Sequence, residues 1–417
     1  MRITLVCFAV MMIDGFDTLM LSFVAPLLAK SLHIDHAALG RVFGGGFVGT
    51  VFGGLIFGPV ADRFGRRPML LVALVVTGVF TLACAFAQSA ASLAALRFIG
   101  GLGLGGAIPA VAAITAESST AQRRSSLVIL MFIGFPLGAV VGGAITAAVM
   151  MRFGWPFVFL MGGGFALAVL VPVLLVIPSA PAAGGREPRN PSVFGTVVGD
   201  VLADGRLVPA LAFWFGTLAC MILSGFLVSF MPMILNFNGI APDRAALGAV
   251  VLNLGGITGA LLLSAVVGRV GPFGPVAISF ACGAGLVFAL GRVIGAGNAA
   301  FGMLFAVGAC LVGGQLTIPA IASRLFPTRV RAAGIGWTMA IGRIGSIVGP
   351  TVGGILLAQK LPLDTLFAIA SLFALCGSLG IGLVARRRPR DRSDPDDQHA
   401  PSSAIPLPHL EAGHGKH

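Results

Sequence analysis

The chain has 417 residues, of which 57% are hydrophobic and only 10% charged, with a mean hydropathy of +1.00. Soluble domains carry about 25% charged residues, and no soluble fold of this length hides so much apolar surface. A soluble enzyme, a disordered chain and a disulfide-stapled secreted scaffold are thereby excluded, and the net charge of +12, carried mainly by short loops and the C-terminal tail, follows the positive-inside rule rather than the pattern of a nucleic-acid binder.

Stretches of about 20 apolar residues cross a bilayer as helices. Twelve are predicted, at 3–28, 39–60, 69–88, 92–115, 126–150, 155–178, 208–234, 244–267, 273–294, 298–322, 332–357 and 363–385. The first is too long for a signal-peptide core and carries two aspartates, so it reads as a retained helix; the chain begins almost at this helix, which leaves room for a short cytoplasmic leader before it. The polar stretch 179–207 divides the spans into two sets, giving an N-terminal six-helix bundle (1–178), a central cytoplasmic loop (179–207), a C-terminal six-helix bundle (208–385) and a disordered cytoplasmic tail (386–417). The expected fold class is an all-α integral membrane protein with twelve transmembrane helices in two pseudo-symmetric bundles. With the N-terminus placed in the cytoplasm, 19 of the 27 Lys and Arg residues fall on that side and 6 on the other, so both termini are expected inside. The six cysteines all lie in apolar stretches, form no CxxC and read as buried structural thiols.

The halves also resemble each other in sequence. Ile108-Pro109-Ala110-Val111-Ala112 matches Ile318-Pro319-Ala320-Ile321-Ala322, and Gly138 to Gly143 matches Gly349 to Gly354, at offsets of 210 and 211. Two matches in order, in equivalent spans, point to a duplicated bundle.

In chain order, the first chemical signal is Asp14-Gly15-Phe16-Asp17, mid-span, with both carboxylates on one helix face. Acids at mid-membrane are expensive and mark function by default; proton carriage, structural ion pairing and a sodium site all remain open for them. Next, Gly58-Pro59-Val60-Ala61-Asp62-Arg63-Phe64-Gly65-Arg66-Arg67-Pro68 forms a tight turn between spans 2 and 3, where Gly65 can take a positive φ and Pro68 can open the next helix. Arg97 lies inside span 4, free either to act or to neutralise a neighbouring acid. Glu117 lies about 30 Å further along the same helix, near its cytoplasmic end, as a partner for Arg66, Arg123 or Arg124 rather than a proton site. Asn253, Gln315 and Thr317 are polar groups within spans 8 and 10 that either line a cavity or hold helices together. Arg343, near the middle of span 11, suits a carboxylate, whether the substrate's or the protein's own. Phe16, Trp214 and Trp337 could stack on an aromatic ring or simply fill the core. Walker A is absent, no nucleophile–base pair is visible, and no enzyme is expected.

The 58–68 turn resembles the loop 2–3 signature of the major facilitator superfamily, which implies a cytoplasmic gate built from Asp62, Arg63, Gly65, Arg66 and Arg67 with Glu117. The run Asp14 to Asp17 followed by Ser22-Phe23-Val24-Ala25-Pro26 resembles the first-helix signature of the aromatic acid:proton symporters within that superfamily. Gly101 to Pro109, Thr115-Ala116-Glu117, Phe326 to Gly334 and Gly342 to Pro350 extend the resemblance over all twelve spans; Ala110 and Ser118 stand where that family often has Asn and Tyr. It implies proton-driven import of a benzoate- or 4-hydroxybenzoate-type acid by alternating access, and a substrate or coupling role for Arg97; with the residue chemistry above, Asp14 and Asp17 are then the proton-coupling candidates and Arg97, Arg343, Asn253 and Gln315 the substrate-binding candidates. Another organic anion, a sugar acid or an exported drug is the alternative cargo, and a non-transporting sensor of organic acids the remote one. The implied partners are a small organic acid, protons and the lipid bilayer, without nucleic acid, metal or cofactor. A monomer in the inner (plasma) membrane is expected.

Overall fold

A computed structural model describes residues 1–120, 124–178, 202, 206–295, 297–326, 330–359 and 361–386. Most of the central loop (179–207) and the tail beyond 386 therefore lie outside the described residues, as do Arg123 and Arg329. Among the described residues the chain forms thirteen helices and no strand: α1 (Arg2–Ser31), α2 (His36–Phe64), α3 (Arg66–Cys84), α4 (Ala90–Glu117), α5 (Arg124–Ala168), α6 (Leu170–Val176), α7 (Leu207–Phe237), α8 (Pro242–Val270), α9 (Phe273–Val293), α10 (Asn298–Leu316), α11 (Ile318–Leu325), α12 (Arg331–Ala358) and α13 (Leu363–Arg386). Helical segments are forced by the composition, because lipid offers no hydrogen bonds and each backbone group must find its partner within the segment. Eleven of these segments are long and apolar enough to cross a membrane.

Local chemistry sets the boundaries. The Asp35 carboxylate accepts the Ala38 N–H at the start of α2, and Ser89 and Ser92 form a capping box at the start of α4. Gly65, at φ 98°, turns the chain directly from α2 into α3. The loop predicted at 151–154 falls on Gly154 (φ 79°), where the two helical stretches of α5 meet at a kink; with α6 they make an apolar segment of 47 residues from Leu130 to Val176. Conversely, predicted span 10 is broken after Leu316, where Thr317 leaves the helix and Pro319, which cannot donate, opens α11. The same Ile-Pro-Ala sequence leaves α4 continuous through Pro109.

Packing follows the repeat. Helix α1 lies on α5 as α7 lies on α12, and α2 lies on α4 as α8 lies on α10. The reason is visible in the glycines. A Cβ at Gly138 of α5 would run into the Met12 carbonyl of α1, and one at Gly349 of α12 into the Ile222 carbonyl of α7. One turn on, the Phe16 ring occupies the space above Gly142, and the Phe226 ring that above Gly353. Small residues let helix backbones touch where lipid supplies no hydrophobic drive for association. Three cysteines depart from the expected burial: Cys310 and Cys376 are half-buried, and Cys282, on α9, is exposed.

Contacts between the N-terminal half and the C-terminal half gather at the face that carries the short α1–α2 and α7–α8 connections. There the Ser22 hydroxyl donates to the Val228 carbonyl (2.5 Å), Phe43 meets Phe230 edge-on, and Gly354 of α12 packs on the backbone of His36 and Gly40 of α2.

Adding one methyl group should separate tight from open glycines. Gly138→Ala and Gly349→Ala are each expected to destabilise the detergent-solubilised protein by about 1–3 kcal/mol, the usual cost of overpacking. Gly164→Ala, which meets nothing within 4 Å among the described residues, should leave the melting temperature unchanged or raised.

Candidate functional site

The two aspartates of α1 are both buried, at 3% and 1% exposure, yet their surroundings differ. Asp17 is fully engaged. Its Oδ2 accepts Arg97 Nη1 from α4 at 2.9 Å, its Oδ1 accepts the Thr81 hydroxyl from α3 at 2.6 Å, and its backbone carbonyl accepts Arg97 Nη2 at 3.0 Å. The guanidinium thus clamps α1 through both side chain and backbone, with Thr81 closing the other side. Asp14, one turn earlier, has no such clamp: its Oδ2 is buried and has no hydrogen-bond partner among the described residues. The positive charge that acts on it is that of Arg343, from α12 in the other half. Asp14 and Arg343 each lie twelve residues into helices that start from the same face, at about 18 Å depth by helical rise.

Arg343 itself is loosely held. Its Nη1 reaches the Thr50 carbonyl of α2 at 3.5 Å, the long limit of a hydrogen bond. Thr50 also lines a small hollow beside Arg97, together with Thr18, Phe43, Gly46 and Phe47. The central level of the molecule therefore holds a complete ion pair, whose Arg97 lines the hollow, and in addition a carboxyl with one buried oxygen left unbonded among the described residues and a guanidinium with one long hydrogen bond.

The other sequence candidates divide by position. Gln315 donates its amide to the Met221 sulfur at 2.7 Å, while its Oε1 is buried without a donor among the described residues. Asn253 donates to Ala249 of its own helix and Thr317 to Gly314 of the preceding turn, bonds that satisfy the side chains locally. The Trp214 indole N–H donates to Thr338 (3.1 Å) and its rings lie beside Trp337 and Phe326, inside the C-terminal half. At the distant face, Arg66 pairs with Glu117 at 2.7 Å, and Arg67 Nη2 donates to the Leu174 carbonyl in the last turn of α6, where a cation meets the negative end of a helix. Arg63 lies exposed nearby and Gly65 makes the turn, while the side chain of Asp62 lies outside the described residues. Among the described residues no group of three or more His, Cys, Asp and Glu side chains is placed to hold a metal ion.

Thr81, Thr50 and Met221 belong to this centre and were not singled out from sequence. Thr81 carried a readable signal, since it follows Thr77 by one turn deep in an apolar span; Thr50 acts through its carbonyl, which no sequence marks.

Residues 7–350 match the family model described as Major Facilitator Superfamily. The chain belongs to the major facilitator superfamily. Members of that superfamily are transporters and not enzymes. Among curated relatives, the gallate transporter of Pseudomonas putida is 32% identical over 423 residues, covering 94% of this chain and 93% of that protein. The 4-hydroxybenzoate transporter PcaK of Pseudomonas aeruginosa is 30% identical over 390 residues, covering 85% and 86%. Among solved structures, the nucleoside transporter NupG aligns with a TM-score of 0.75 at 14% identity, over 92% of this chain and 99% of that one, a likeness of fold.

Breaking a buried ion pair strands a charge, so single substitutions should hurt more than the double one. Asp17→Asn and Arg97→Gln are each expected to lower stability by about 3–5 kcal/mol, and the combined variant to recover part of that loss. Melting of the purified proteins, read as a double-mutant cycle, checks this; additive losses would mean the pair is not coupled.

Proposed function

We propose that the protein imports an aromatic carboxylic acid of the benzoate or 4-hydroxybenzoate type by proton symport, through alternating access of two six-helix halves. Twelve spans follow if the Leu130–Val176 segment crosses twice, turning at Gly154; 47 residues of helix measure about 70 Å, over twice a bilayer core of about 30 Å. The named relatives support the substrate class, and the repeated α1–α5 and α7–α12 packing supports two equivalent bundles, 1–178 and 208–385. The protein then sits in the inner membrane with both termini cytoplasmic, as the Lys and Arg distribution favours.

The observation that carries the mechanism is the asymmetry between Asp17 and Asp14. Asp17 is neutralised within its own half and is a fixed structural charge. Asp14 depends on a cation from the other half. A substrate carboxylate arriving in the hollow competes with Asp14 for Arg343, whose planar fork suits two carboxylate oxygens. Once Arg343 turns to the substrate, the Asp14 carboxylate has no countercharge in a medium of low dielectric, and a proton taken from outside removes the cost of burying it. Substrate and proton therefore load together and neutralise the centre. Once both are loaded from outside, neutralisation lets the halves rock, closing the contacts at the Ser22–Val228 face and opening the opposite face, where the Asp62 to Arg67 turn and Glu117 form the cytoplasmic gate.

Asp14→Asn is expected to abolish uphill accumulation of 4-hydroxybenzoate in cells while leaving exchange of internal for external substrate in proteoliposomes. Wild-type uptake should be stronger at pH 6 than at pH 8 and should be lost with an uncoupler. Wild-type accumulation by the Asn variant would contradict proton carriage at Asp14.

A further inference from the structure

Gln315 stands at the last turn of α10, immediately before the break at Thr317. Its amide nitrogen is spent on the Met221 thioether, a weak acceptor, while its carbonyl oxygen is buried and has no donor among the described residues. One turn before Met221 on α7, the Thr217 hydroxyl is likewise buried without a hydrogen-bond partner among the described residues. Met221 in turn packs against α12 at Gly342 and Gly345, the two glycines that flank the turn carrying Arg343. Helices α10 and α7 thus bring a fixed acceptor, a second polar oxygen and a soft thioether against the turn of α12 that carries Arg343.

We propose that Gln315 is a specificity-determining residue whose Oε1 accepts a hydrogen bond from a hydroxyl group on the substrate's ring. The inference rests on the aromatic-acid reading above. With the carboxylate on Arg343, the ring lies against Met221, whose sulfur makes favourable contacts with aromatic rings. A ring hydroxyl then supplies the donor that Gln315 lacks, and Thr217 can bond the same hydroxyl or a second one. An unsubstituted ring leaves the buried oxygen unsatisfied, and such a site rejects the analogue that lacks the donor. The amide is prepositioned by Met221, so selection needs no rearrangement of the side chain.

The test is uptake of 3- and 4-hydroxybenzoate, each against benzoate and the corresponding fluorobenzoate, which is close in size but cannot donate. The wild type should favour a hydroxybenzoate over its fluoro analogue by about tenfold, the order expected for one hydrogen bond. Gln315→Met should bring that ratio close to one, and Gln315→Glu, which keeps an acceptor, should retain most of it. A wild type that takes fluoro and hydroxy acids equally overturns the proposal without any variant, as does an unchanged ratio in Gln315→Met; in both cases transport of aromatic acids still stands. A wild type that takes up none of these acids overturns the aromatic-acid reading and the role of Gln315 with it.

Discussion

The buried pair of Asp17 and Arg97 is the fixed point of the central site. A charge at mid-membrane costs on the order of 3 kcal/mol or more when unpaired, so each member of the pair is held by need of the other. Because Arg97 reaches both the carboxylate and the backbone carbonyl of Asp17, and Thr81 completes the coordination, α1, α3 and α4 are locked at one level. That lock has a consequence one turn away. Asp14 shares the helix face but not the partners: its Oδ2 is buried without a hydrogen bond among the described residues, and the cation that acts on it, Arg343, belongs to the other half. Two carboxylates three residues apart in sequence thereby stand in different surroundings, to which the proposed mechanism assigns one structural and one responsive task.

The packing within each half is more extensive than the packing between halves, although glycine contacts occur in both, as where Gly354 meets His36 and Gly40. Inside a half, glycines bring backbones into direct contact, as Gly138 does with Met12 and Gly349 with Ile222, and such contacts tolerate no sliding. Between halves, the contacts lie largely at one face and include single hydrogen bonds and ring edges, as between Ser22 and Val228 or Phe43 and Phe230. Rigid bodies joined by a separable surface are what alternating access requires. The 3.5 Å reach of Arg343 to Thr50 adds a long, weak link between the halves at mid-depth, the one the proposed mechanism exchanges for a substrate carboxylate.

Much of this was legible before any coordinates. Hydropathy placed the spans because lipid admits little else, and the Gly138 and Gly349 repeats were visible because close packing restricts those positions to the smallest residue. One boundary escaped it: the break at Thr317 accompanies a proline, Pro319, whose counterpart Pro109 leaves α4 intact. At the site, the pattern of Asp14 and Asp17 announced function, yet not the division between them. That division is set by Thr81 and Arg97, distant in sequence, and by a guanidinium in the other half. Likewise Gln315 reads in sequence as a packing residue before a lining one, and the difference between its bonded nitrogen and its unbonded oxygen depends on Met221, distant in the chain.

The most direct test of the account is proton movement with substrate across a membrane holding only this protein. Purified protein in sealed liposomes, in weakly buffered medium at equal pH inside and out, would receive an inward gradient of 4-hydroxybenzoate while external pH is followed. The account predicts alkalinisation of the medium faster than in protein-free liposomes, in fixed proportion to substrate uptake. Protein-dependent uptake of the acid with no pH change beyond that of protein-free liposomes would contradict it.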